Sequence, residues 1–373
     1  MNQDQSLKYG MFLMPIHNPA KPKAQCYDED LELISRCEKW GFEEFWVGEH
    51  HTSSYENIVM PEIFLGKAFG LTKKIRLGPA PVCLQFHNPA QVACRLAFLD
   101  HLSQGRLNLC FGAGAVDSDL EMHAVDPKNS GAMVAESIDM ILKLWSEHPP
   151  QEIKGNFWNY RLKDTVIPEM GTGVVPRPLQ LPHPPIAMPC MRRGSGTVRL
   201  AGTRGFQPFS HHMLHREVLK NHWETYLEGA QHSGHQALLK DWKVALNIFV
   251  ADSTQEARYL ARNNTVCWQI NYILELTNRY AGELSLFHRN PEMNDADCNL
   301  DYFMNEVVIV GNPTEVTRQI LQLREEVGPF GTLVLVAHDW DDKKRHIHSL
   351  ELFSQEVMPA LNQAAEFSGV SPQ

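Results

Sequence analysis

Four short stretches carry residue types and spacings suited to chemistry. Glu49-His50-His51 follows an apolar run, and a histidine there can serve as acid or base because its unperturbed pKa lies near neutrality. Side chains alternate along a strand, so one of His50 and His51 faces inward. Gly78-Pro79-Ala80-Pro81 ends a second apolar run. Its Ala80-Pro81 bond is a tertiary amide that reaches the cis form for about 0.5–1 kcal/mol. Trans is the commoner state; a cis bond at a strand mouth would press a flat face against a ring. Gly112-Ala113-Gly114 closes a third run.

The fourth stretch, Arg192-Arg193-Gly194-Ser195-Gly196-Thr197, opens a helix. Small residues there leave backbone N–H groups for an anion, and the helix dipole adds positive potential. Thr197 contributes a hydroxyl and the arginines charge-assisted contacts, so a phosphate is the natural guest. A plain Ser/Gly helix cap with solvated arginines accounts for the same residues equally well.

Two other patterns carry less. His211 and His215 have the i, i+4 spacing of a zinc pair, but no H-E-x-x-H, carboxylate or cysteine completes a ligand set, so no metal is expected. Trp268, Tyr272, Tyr280, Phe287, Tyr302 and Phe303 punctuate a long excursion that reads either as a lid over an apolar substrate or as ordinary helix packing. No G-x-S-x-G nucleophile elbow occurs.

Short apolar runs that alternate with helical patterns must position these residues. The strands are read at Tyr9–Met14, Phe45–Gly48, Ile75–Gly78, Leu107–Phe111, Ile186–Met188, Gln207–Ser210 (weak), Val244–Val250 and Thr332–Ala337. Between them, apolar residues recur at helical spacing, as in Val134, Ile138, Ile141, Leu142 and Trp145. Buried strands joined by crossover helices make a parallel sheet. Eight repeats predict an α/β fold, a (β/α)8 TIM barrel, whose unit length of ~250 residues leaves about 120 over. The whole chain, 1–373, reads as a single barrel domain with insertions at about 148–185 and 262–305. A doubly wound open sheet competes, but no G-x-G-x-x-G turn follows the first strand.

Composition narrows the function classes. With 34 basic and 44 acidic residues the net charge is −10, which repels nucleic acid and anionic lipid. The 43% apolar content supplies an ordinary soluble core. The polar segment Met1–Lys8 is not a signal peptide, and no apolar run reaches the ~18 residues of a membrane span. The eight cysteines form no C-x-x-C pair, so the chain reads as cytoplasmic and reduced.

Taken together, the strand ends resemble those of the bacterial luciferase-like family of flavin-dependent monooxygenases, and more closely its limonene-monooxygenase-like branch. The likeness rests on Gly41-Phe42, Trp46, Glu49-His50-His51, His87-Asn88-Pro89 and Leu99-Asp100-His101-Leu102-Ser103-Gln104-Gly105-Arg106. It implies a barrel that binds reduced FMN at its C-terminal mouth. There O2 forms a flavin C4a-hydroperoxide that oxidises a small apolar ketone, aldehyde or terpene. It also implies catalysis by His50, flavin contact by Ala80-Pro81 and phosphate binding at Arg193, Gly194 and Thr197, with Arg192, Ser195 and Gly196 beside them. Partners implied are a separate NAD(P)H:flavin reductase, since no nicotinamide fingerprint is visible, and a second copy in a homodimer. The chain departs from luciferase where Ala113 replaces a phosphate arginine, Gly112 a cysteine and Arg193 a glutamate. The positive charge has moved between loops. Two further readings stand: a deazaflavin-dependent dehydrogenase or reductase on the same barrel, and a non-catalytic flavin-binding protein.

Overall fold

A computed structural model describes residues 7–114, 116–149 and 151–368. Eight parallel strands form its centre: β1 (Lys8–Leu13), β2 (Glu44–Val47), β3 (Arg76–Pro79), β4 (Leu109–Gly112), β5 (Ile186–Cys190), β6 (Gln207–Ser210), β7 (Lys243–Leu246) and β8 (Thr332–Val336). Their order in the sheet is β3-β2-β1-β8-β7-β6-β5-β4. The ends meet. Leu77 pairs with Leu107, and Val82–Cys83, just beyond β3, pairs with Phe111 and Gly112 of β4. One segment, 76–83, therefore closes the barrel.

The surrounding helices are α1 (Lys23–Lys39), α2 (Pro61–Leu71), α3 (Pro89–Leu102), α4 (Pro127–Ser146), α5 (Gly196–Arg204), α6 (Arg216–Ser233), α7 (Thr265–Ala281), α8 (Pro313–Val327) and α9 (Lys343–Leu352). Their starts are local chemistry. Asn88 before Pro89 accepts from the Ala90 and Gln91 N–H groups, and Asn312 before Pro313 accepts from Glu315. Inside the barrel, Trp46 fills the centre, and Gly78 makes room: a Cβ there would lie 2.8 Å from Trp46 Cζ3 and 2.6 Å from the Asn108 carbonyl oxygen. Below it, the buried Lys243 Nζ reaches Glu44 Oε2 at 2.8 Å, and Trp46 Nε1 donates to Glu44 Oε1 at 2.9 Å.

All eight expected barrel strands are present, and Gln207–Ser210, read as weak, pairs on both sides. The run Val244–Val250 is not one strand. It leaves the barrel at Asn247, and Ile248–Val250 pairs instead with Ile309–Gly311 in a separate parallel ladder. An apolar run shows burial but not which sheet buries it. The first insertion contains an antiparallel hairpin, Gln151–Lys154 with Asn159–Leu162. Gln180 ties the insertion to the barrel, bonding to both Asp100 carboxylate oxygens and accepting from Arg76. The second is built on α7 and has its own apolar core around Ile270, Phe287 and Phe303.

Candidate active site

A cavity of about 440 Å³ opens at the C-terminal ends of the strands, where barrels of this kind carry their sites. Phe12, Met14, Ile273, Leu276, Leu286 and Phe287 give it apolar walls. His50, Ala80, Pro81 and Arg192 all line it. The Ala80-Pro81 bond is cis. Gly112 lies under the same wall: a Cβ there would lie 2.6 Å from Pro189 Cγ and 3.2 Å from Pro81 Cβ. The cysteine that Gly112 replaces would have no room here, because two prolines already fill its space.

Of the two candidate histidines, His50 is the one on the cavity wall. Its Nε2 lies 2.7 Å from Glu56 Oε2, and its Nδ1 lies 3.8 Å from Asp119 Oδ2. Burial alone would lower the pKa of this ring, but the two carboxylates outweigh it and raise it to about 10. Burial works against ionisation of Asp119 as well. The nearby His50 ring and hydrogen bonds from Thr52 and from the His51 N–H prevail, holding that carboxyl at about 2.

His51 turns the other way. His51 Nε2 and His87 Nε2 both donate to Glu49 Oε1, at 2.8 and 2.6 Å, while Glu49 Oε2 accepts from the Cys83 N–H at 3.1 Å. These bonds overcome the cost of burial and hold the Glu49 carboxyl at about 2. His123 Nε2 meets the remaining His51 nitrogen at 3.3 Å. Glu49, His51 and His87 bring their side-chain nitrogens and oxygens within 4.8 Å of one another. Here the same atoms are engaged with one another, and the network pins the β2 loop to the segment after β3.

The arginine loop is divided. Arg192 is on the cavity wall; Arg193 turns outward, its guanidinium donating to the Arg289 carbonyl. The Gly194 N–H is taken by Asn221 Oδ1 at 2.7 Å. Ser195 Oγ caps α5 by accepting from the Thr197 N–H at 3.2 Å. Gly194 through Thr197 therefore run along the rim beyond Arg192 and do not line the cavity. His211 is on the cavity wall, whereas His215 caps α6 by accepting from the Glu217 N–H. Residues 211–215 are not helical, so the i, i+4 spacing does not set the two rings one turn apart on a helix. Of the excursion's aromatics, Tyr280 and Phe287 reach the cavity. Tyr272 stacks on Tyr55 instead, with Trp268 tilted against the same ring, and Tyr302 and Phe303 pack in the excursion's own core.

Glu56, Asp119, Glu49, His87 and His123 were not singled out individually as site residues in the sequence. Their one local signal is Glu49 and His87 lying within the motifs that carry the resemblance.

The model of the luciferase-like monooxygenase family matches residues 7–329. The chain belongs to the luciferase-like monooxygenase family. Among its relatives, 4-hydroxyprotoasukamycin monooxygenase of Streptomyces nodosus subsp. asukaensis is 31% identical over 95% of this chain and 92% of its own. Limonene 1,2-monooxygenase of Rhodococcus erythropolis is 28% identical over 95% of this chain and 86% of its own. Among solved structures, the oxygenating constituent of 3,6-diketocamphane monooxygenase from Pseudomonas putida, a type II Baeyer-Villiger monooxygenase in complex with FMN, superposes with a TM-score of 0.85. It is 28% identical and covers 95% of this chain and 98% of its own. The fold and the strand-end cavity of this luciferase-like chain thus accompany a family assignment that spans nearly its whole length.

Proposed function

We propose that this luciferase-like protein is the oxygenase of a two-component, FMN-dependent monooxygenase acting on a small apolar ketone, aldehyde or terpene. The observation that carries the reading is the cavity itself: a family-matched barrel mouth that sets Ala80-Pro81 beside His50 and Arg192 under apolar walls. The residues present suit FMN. His50 Nδ1 is buried without a hydrogen-bond partner, and Arg192 offers the one wall-lining guanidinium among the described residues. When bound, reduced FMN supplies the electrons that activate O2. The chain's own part is to seat the ring on Ala80-Pro81, to draw the phosphate toward Arg192 and the 193–197 rim, and to hold a proton at His50. It also keeps water out beneath α7.

A separate NAD(P)H:flavin reductase supplies the reduced flavin in this reading. The chain works as one barrel domain with its two insertions. A reducing cytoplasmic setting suits its eight unpaired cysteines, and no helix among the described residues is long and apolar enough to cross a membrane. A second copy is the partner we assign to the outer face of α2 and α3. There Ile63 (74% exposed), Phe98 (65%) and Leu102 (55%) form an apolar groove, the kind of patch that marks an interface.

The test is to mix the protein with photoreduced FMN anaerobically, add aerated buffer and substrate, and measure O2 consumed and oxygenated product. Product from a cyclic ketone, an aldehyde or a terpene is expected. Flavin reoxidation at the free rate with no product from any of the three classes would refute the reading. His50→Ala is expected to cut product formation by roughly 100-fold or more, the scale of a lost proton-transfer group, with FMN affinity little changed.

A further inference from the structure

Glu56 lies in the loop after β2 with 0% exposure, and neither carboxylate oxygen has a hydrogen-bond partner among the described residues. A buried carboxylate without donors is costly unless a cation faces it. The group that faces it is His50, at 2.7 Å. Asp119 stands on the ring's other side at 3.8 Å, itself held in place by the N–H groups of His51 and Thr52. The imidazole thus lies between two carboxylates, and its Nδ1 is free of any partner at hydrogen-bond distance.

The remaining titratable groups near the ring do not supply a competing cation for Glu56. Glu49 and His51 belong to their own network, as do His87 and His123. Tyr272, from α7, lies beside Glu56, and Cys83, Asp117 and Tyr280 stand around the cavity. Arg192 and His211 line the same cavity from the β5 and β6 ends.

We propose that Glu56, backed by Asp119, is a positioning residue that keeps His50 an imidazolium, so that His50 meets bound flavin, oxygen and substrate as a hydrogen-bond and proton donor and not as a base. The catalytic half of this statement rests on the function proposed above; the protonation half stands on the ion pair alone. A donor at this place suits oxygen transfer in which the oxygen left behind takes up a proton, one that His50 would give and solvent would return. The loop that presents Glu56 is seated by the excursion. Tyr55 stacks on Tyr272 with ring centroids 4.7 Å apart, and Ser53 Oγ pairs with the Tyr272 hydroxyl at 3.2 Å. The helix that roofs the cavity therefore also fixes the counter-ion of its histidine.

The experiment uses flavin-free protein labelled with 15N-histidine, the His50 signals being assigned from their loss in His50→Gln. The ring nitrogens are followed by NMR as pH rises. His50 is expected to stay doubly protonated above about pH 9, as a histidine between two carboxylates does. Glu56→Gln is expected to lower its midpoint by about two pH units or more, and Glu56→Asp to restore most of that shift. Unchanged signals from the other histidines establish that each variant is folded, and Asp119→Asn gives a second route should Glu56→Gln not fold. A wild-type midpoint near the unperturbed value of about 6.5, or a midpoint indifferent to both Glu56→Gln and Asp119→Asn, would overturn the proposal. Because no flavin is present, failure of the monooxygenase reading leaves this result untouched.

Discussion

His50 and Glu49 are adjacent in the chain and perturbed in opposite senses, which makes the strand end sensitive to pH from both sides. The folded pKa of His50, about 10, lies above the 6.5 of the unfolded chain. Its contribution to stability is therefore complete below pH 6.5 and is lost as pH rises toward 10. Glu49 has a folded pKa of about 2 against 4.5 unfolded, so its contribution is complete above pH 4.5 and is lost as pH falls toward 2. Urea unfolding across that range is expected to show wild-type stability declining between pH 6.5 and 10, and Glu56→Gln flattening that decline. An identical decline in both proteins would mean that other groups cause it. His50 itself was legible in the sequence because it closes a strand. Glu56 was not, because it sits in a loop six residues on and reaches the ring only through the fold.

At the scale of elements, α7 has two jobs on different faces. Ile273, Leu276, Thr277 and Tyr280 roof the cavity, while Trp268 and Tyr272 hold the β2 loop. Residues three or four apart share a helical face, so both faces are written in the residue spacing. What each face meets is not. Tyr272→Ala removes the stack on Tyr55 and the bond to Ser53. It is expected to leave the barrel folded by circular dichroism while speeding proteolysis within 265–281 and the 51–58 loop. Unaltered cleavage there would show that the stack does not hold the roof. The split of the seventh apolar run at Asn247 has the same origin. Val244–Val250 shows burial throughout, but the second ladder partner, Ile309–Gly311, comes from some sixty residues on.

For the whole molecule, the barrel is closed by the segment 76–83, and its centre is filled by Trp46 over the buried Lys243–Glu44 pair. The same closure leaves the outer faces of α2 and α3 with Ile63, Phe98 and Leu102 toward solvent. An apolar patch of this kind on a chain of net charge −10 is conspicuous, since charge of one sign otherwise keeps copies apart. The wild type is expected to run as a dimer in light scattering coupled to size exclusion, and Phe98→Asp as a folded monomer. A monomeric wild type would exclude the assigned face as a stable interface.

The sequence by itself determined the eight strand–helix repeats, their closure into a barrel, the strand-end position of His50 and the placement of Ala80-Pro81 at a strand mouth. Each of these follows from local periodicity, or from one residue's position at the end of an element. Strand alternation left open which of His50 and His51 faces the cavity, and the tertiary structure put His50 there, with Arg192 lining it while Arg193 turns away. It alone placed Glu56 and Asp119 on the two sides of one imidazole, and two prolines in the space that Gly112 leaves. The physical reason is the same in each case. Periodicity reports which side of an element is buried, whereas charge pairing and steric exclusion depend on distances between segments that share no local signal.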